Sequence, residues 1–168
     1  MFRNRKNRAM TPRGLRWLFN CYPPFLFQRI RTVFVADDFH ACRVEVRPSL
    51  RTRNISGTTF GATIFAAADP FHVILLWQIF AHRGQRLDAW LRGGRVRYLR
   101  PARTTLTLEF EVDEADVAEA TEHLDRHGRW TRWYRTEARD RDGEVCAVIE
   151  TEVFLGRKDR NRTAGRTP

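Results

Sequence analysis

Cysteine is scarce in this 168-residue chain, and the three present, Cys21, Cys42 and Cys146, are odd in number and share no paired spacing. Neither a disulfide framework nor a cysteine-based zinc site is indicated, and a reducing, cytoplasmic setting fits. Acidic residues are missing altogether from residues 1–16, which carry six basic side chains, while residues 157–168 hold five basic residues against one acid. Of the chain's 30 basic and 20 acidic residues, nineteen of each are left for the middle, so the formal charge of +10 belongs to the two ends. A nucleic-acid-binding domain carries its basic stripe on a folded face, and no nucleic-acid partner is expected. Charged runs poor in apolar residues cannot bury enough surface to fold. Residues 1–10 and 157–168 therefore read as basic, disordered tails around one domain, residues 11–156. No apolar segment follows the N-terminal charges directly and no cleavage-site pattern is present, which argues against a secretory signal. Basic residues beside Trp17, Phe19, Phe25 and Phe27 give weak contact with a membrane surface, or the Pro23–Phe27 segment is a packed connector.

Polar residues are rare between Gly61 and Phe80, where Thr63, Asp69, Pro70, His72 and Gln78 alone interrupt an apolar run. As a helix that run extends about 30 Å. An Asp-Pro pair at its middle would be costly in lipid, and a helix apolar on every side must be enclosed. Strand-like segments flank it on both sides, so a curved antiparallel sheet wrapped around a long central helix, the α+β hotdog fold, is the expected architecture.

Thr11-Pro12 is a helix start, and Pro23-Pro24 ends that helix. Residues 29–35 and 41–47 alternate with period two, placing Cys42, Val44 and Val46 on one face, with a turn at Asp37-Asp38. Residues 87–99 read as one strand bulged at Gly93-Gly94. In residues 104–112, Leu106, Leu108, Phe110 and Val112 point inward. A helix from Glu114 to His127 ends at Gly128, and residues 130–139 and 144–155 form a hairpin through Asp140-Arg141-Asp142-Gly143.

The pattern Asn54-x-x-Gly57-x-x-Phe60-Gly61-Ala62, followed by Asp69, resembles the N-x-x-G-x-x-H-G-G…D motif of hotdog acyl-CoA thioesterases of the phenylacetate-pathway type. Ala68–Phe71 and Tyr98–Pro101 resemble more closely still a branch of small hotdog proteins assigned as tetrameric acyl-CoA thioesterases. The resemblance implies that Asp69 is nucleophile or general base, that the Gly61 amide polarises the thioester carbonyl, and that Asn54 positions substrate or water. Gly57, Phe60 and Ala62 complete the motif on the substrate side. Phe60 stands where the motif has histidine and cannot hydrogen-bond; Ala62 replaces the second glycine and keeps its N–H. The implied partners are an acyl-CoA and further copies of the chain, as a dimer or a dimer of dimers, with no cofactor. The alternative is a non-catalytic protein that binds acyl-CoA or an acyl chain.

The chemistry is coherent on its own terms. The first turn of a helix presents unpaired N–H groups to an oxygen gaining negative charge. Gly61 and Asp69 lie about 12 Å apart along a helix, too far to act on one carbon, so a second copy paired two-fold would supply the missing group. Asp69 amid apolar neighbours should have a raised pKa, or it caps a second helix that begins at Pro70. Asn54 equally suits a loop residue bonding its own backbone. His72, three residues beyond Asp69, contacts substrate or is a buried structural histidine. Arg97, Arg100 and Arg103 are candidates for the phosphates of coenzyme A. His123 and His127 are four apart, but a third metal ligand is not evident, and no metal site is assigned.

Overall fold

The computed structural model describes residues 9–157, and the expected disorder of the two tails falls almost entirely outside them. Helix α1, Pro12–Cys21, begins where expected, with the Gly14 amide donating to the Thr11 hydroxyl at 3.1 Å. It gives way to the short helix α2, Pro23–Phe27. Phe19 and Phe25 stack at 5.4 Å and both rest on Phe71, so this N-terminal unit closes one end of the core. Leu26 and Phe27 remain exposed.

Six strands follow: β1 Ile30–Val35, β2 Ala41–Val46, β3 Leu87–Tyr98, β4 Leu106–Glu111, β5 Arg129–Arg139 and β6 Val145–Arg157. They form one sheet in the order β1-β2-β4-β5-β6-β3, antiparallel at every junction. The alternation read from sequence sets the register: Val44 faces Leu108 and Cys42 faces Phe110 across β2 and β4, all four buried. The register of β3 against β6 shifts between Leu91 and Gly93, so the bulged residue is Arg92, one position before the expected Gly93-Gly94, both of which pair regularly. Only Thr107↔Arg139 and Leu108↔Ala138 register β4 against β5, so the sheet is nearly split there.

The expected central rod is two helices, α3 Gly61–Ala66 and α4 Phe71–His82, joined by a turn at residues 67–70. Pro70 has no N–H to give to the turn before it, and its ring crowds that turn. Pro70 is itself the N-cap of α4, with no side-chain cap bond, so Asp69 does not cap that helix. Gly61–His82 is long and apolar enough by composition to cross a membrane, but here the sheet wraps it, and Leu75, Leu76 and Phe80 are fully buried. The remaining helix, α5, spans Glu114–His127 and ends at Gly128 in the left-handed conformation, φ 69°. This is the hotdog fold.

The two margins of the sheet differ. On β1, the Asn20 side chain of α1 accepts from the Thr32 amide at 2.9 Å and donates to the Thr32 carbonyl at 3.1 Å. On β3, twelve residues long, no further strand lies alongside among the described residues.

Candidate functional site

Residues 54–61 form the loop that delivers the chain to α3. The Asn54 carboxamide oxygen accepts from the Ser56 and Thr58 amides at 3.0 and 3.1 Å, and its nitrogen donates to the Thr58 hydroxyl at 2.9 Å. The Asn54 and Gly57 amides donate to the Thr58 and Asn54 carbonyls, and Gly57 sits at φ 73°, where a side chain would be strained. Asn54 and Gly57 thus shape the loop: the Asn54 side chain is used on its own backbone.

At the end of that loop Phe60 is the N-cap of α3. Its amide donates to the Thr52 carbonyl at 2.7 Å while its ring stays 54% exposed. The amides of Gly61 and Ala62 begin the helix and lack intrahelical partners. Strand β3 passes directly over this turn. A Cβ on Gly61 would lie 2.7 Å from both the hydroxyl and Cζ of Tyr98, and one on Gly94 would lie 2.5 Å from Cζ of Phe65. At both glycines a side chain of the other element fills the space a methyl group would take, Tyr98 of β3 at Gly61 and Phe65 of α3 at Gly94.

The outcome is a groove of about 620 Å³ lined by Asn54, Phe60, Gly61, Ile64, Tyr98 and the Leu99–Arg103 segment, with Ser56, Thr58 and Thr59. That is within the size range of small-molecule sites. It brings together four elements of the sequence reading, Asn54, Phe60, Gly61 and the pair Arg100 and Arg103. Arg100 is ion-paired with Glu144. Arg97 is exposed on β3 next to Tyr98, and because successive strand side chains face opposite ways it lies on the other face of the sheet. Gly57 and Ala62 do not line the groove. Tyr98, which the sequence reading noticed only as part of a motif, stands nearest to Gly61; the signal was a glycine at a helix start whose partner lay 37 residues away in another element.

Asp69 lies in the turn between α3 and α4 and does not line this groove. It is exposed in the single chain, its amide donates to the Phe65 carbonyl at 3.0 Å, and its carboxylate has no hydrogen-bond or ion-pair partner among the described residues. Partial desolvation in that apolar turn nonetheless raises its carboxyl above the ordinary value. His72 is buried instead. Its ring stacks on Tyr134 at 4.4 Å, meets Phe110 edge-on at 5.1 Å, and places Nδ1 3.4 Å from the Thr151 hydroxyl. Burial lowers its pKa to about 3, so it is neutral at physiological pH. It looks toward the opening between β4 and β5, not toward Gly61.

Residues 12–153 match the family described as a domain of unknown function, DUF4442. The chain belongs to that family. This DUF4442 chain has structural likeness to a Pseudomonas aeruginosa protein of unknown function named as a probable thioesterase. The TM-score is 0.77 at 18% identity, over 89% of this chain and 98% of that one. A Haemophilus influenzae thioesterase superposes with a TM-score of 0.68 at 13% identity, over 93% of this chain and 97% of that one. The Escherichia coli PaaI protein, from the phenylacetic acid degradation operon, gives 0.59 at 17% identity, over 87% and 91%. At these identities the likeness establishes the hotdog fold that the DUF4442 chain shares with them. No curated protein matches it significantly by sequence.

Proposed function

We propose that this DUF4442 protein hydrolyses an acyl-CoA thioester at a site shared between two copies of the chain. The observation that carries the reading is a division of labour. The groove at Gly61 holds amides and arginines but no carboxylate, and the one raised, unpartnered carboxylate of the central helices, Asp69, lies outside it. A two-fold pairing of copies along β3, whose outer margin no strand occupies, would bring Asp69 of one to Gly61 of the other. In that arrangement the thioester oxygen, gaining negative charge, accepts from the Gly61 amide. Asp69 takes a proton from a water that attacks the carbonyl carbon, or attacks it itself to give an anhydride that water then cleaves; the C–S bond breaks, the thiolate of coenzyme A leaves and takes up the proton from water, and Arg100 and Arg103 hold its phosphates. The Tyr98 hydroxyl stands over the same turn. Named thioesterases among the structural neighbours support the same chemistry, and a cytoplasmic location accords with it.

The test is CoA release from a panel of acyl-CoAs, with wild type and Asp69→Asn, alongside sedimentation to determine the oligomeric state. Release should fall by about 10²-fold or more in Asp69→Asn if the acid is the base. A monomer that releases CoA at the wild-type rate would sink the shared site. A second reading, an acyl-CoA or acyl-chain binder without turnover, is favoured by Phe60, which is exposed at the groove and cannot hydrogen-bond. It is distinguished by saturable binding without release.

A further inference from the structure

A second cleft, of about 830 Å³, lies elsewhere and shares no lining residue with the groove at Gly61. Its walls are the last turns of α5, the start of β5, Phe154 of β6 and Arg92 of β3. Four of its eight lining residues are Arg92, Arg129, His123 and His127.

The charges around the cleft decide what it can attract. Its one acid, Glu119, already accepts from Arg132 at 2.6 Å and from the Trp130 indole N–H at 3.2 Å. The neighbouring Arg126 is ion-paired with Glu122 and Arg157 with Asp125, so these cations are neutralised. Arg92 and Arg129 have no ion-pair partner among the described residues. They come from two different strands, so the positive charge converges from separate elements. Two imidazoles, their centroids 5.7 Å apart, face the same space from α5.

An inorganic anion would use only these groups, but the cleft also has an aromatic side. The edge of the Phe154 ring reaches Gly156, where a Cβ would come within 2.9 Å of it, and one face stacks on Trp90 at 4.1 Å and 27°. Trp90 is 48% exposed. Trp130 contributes a second, buried aromatic edge. Uncompensated guanidiniums bind phosphate oxygens bidentately, and exposed rings offer a face for stacking a base.

We propose that this cleft binds a nucleoside phosphate, with Arg92 and Arg129 on the phosphates and the Phe154 ring, backed from outside the cleft by Trp90, against the base. This site is independent of the thioesterase reading, because it uses none of that groove's residues.

Titration of the full chain with ADP, followed calorimetrically at physiological ionic strength, tests it, with adenosine and orthophosphate as the two halves of the ligand. ADP should bind saturably, and each half should bind about tenfold or more weakly. Arg92→Gln with Arg129→Gln should weaken ADP by about tenfold or more, the loss of charge-assisted hydrogen bonds, and Phe154→Leu should bring ADP toward the affinity of orthophosphate. Arg97→Gln, outside the cleft, should change nothing, and unchanged thermal melting of each variant separates lost binding from lost fold. The proposal is overturned if ADP fails to bind at about millimolar concentration, or if orthophosphate binds as tightly as ADP. It is overturned as well if the double variant binds ADP like wild type, or if only a single-stranded oligonucleotide binds.

Discussion

Two glycines show how a single position can mean packing or chemistry. At Gly94 an added methyl group would strike the Phe65 ring, which is partly buried and packed against the core. Gly94→Ala should therefore cost about 1–3 kcal/mol, read as a lower midpoint in urea. At Gly61 the methyl group meets the far end of Tyr98, which is 51% exposed and free to rotate. Gly61→Ala should leave stability nearly unchanged while displacing the phenol from the groove. Equal destabilisation of both variants would contradict this reading of the contacts.

His72 makes a pH prediction with a definite sign. Its folded pKa, about 3, lies below the ordinary value of 6.5, because burial penalises the charged ring. The unfolded chain takes up a proton that the folded chain refuses, so stability is lost as pH falls from about 6.5 toward 3. The effect is of the order of a few kcal/mol. His72→Phe keeps the stack on Tyr134 and removes the titration, so its melting temperature should decline less between pH 7 and 4 than that of wild type. Parallel declines would contradict it. Sequence alone left His72 between substrate contact and structure, because spacing along a helix cannot say which neighbours enclose a ring. Asn54 was ambiguous for the same reason: only the loop's own geometry shows that its amide is engaged locally.

At the scale of elements, most of the fold was legible. Thr11-Pro12, the alternation of Cys42, Val44 and Val46, the bulge read at Gly93-Gly94 and the Gly128 terminator are local signals, and the structure follows each, the bulge one residue earlier at Arg92. The break at residues 67–70 was less legible, since Asp-Pro is compatible with both a kink and a new start. What local signals could not supply was pairing across distance: Tyr98 over Gly61, Phe65 over Gly94, and Asn20 clamped to Thr32. That last contact ties α1 to β1 and satisfies backbone groups that would otherwise invite another strand. Asn20→Leu should cost about 1–3 kcal/mol and increase concentration-dependent aggregation on mild heating, monitored by light scattering. A variant that stays as soluble and as stable as wild type would show the clamp to be dispensable.

For the whole molecule, the raised carboxyl of Asp69, as the proposed base, would tie activity to pH. A base must be ionised, so CoA release should fall on the acid side at a pH above the ordinary aspartate value, and Asp69→Asn should abolish that limb together with the rate. An acid limb unchanged in the variant would assign the titration to another group. The exposed Trp17 and Phe27 belong to the same scale, since with the exposed Arg13 and Arg16 they are the described residues proposed for weak membrane contact. Because Phe19 and Phe25 from this region are core residues, the discriminating change is Trp17→Ser with Phe27→Ser, not truncation. Co-sedimentation with anionic liposomes should drop in that variant, and equal recovery would exclude contact through this face.

Two residue pairs are all that register the three strands β1, β2 and β4 with the three strands β5, β6 and β3. The wrap around α4 therefore has a seam. Opening the wrap at that seam would break only the pairs at Thr107 and Leu108 and leave every other ladder intact, which makes it the least disruptive route by which a guest of larger girth would enter.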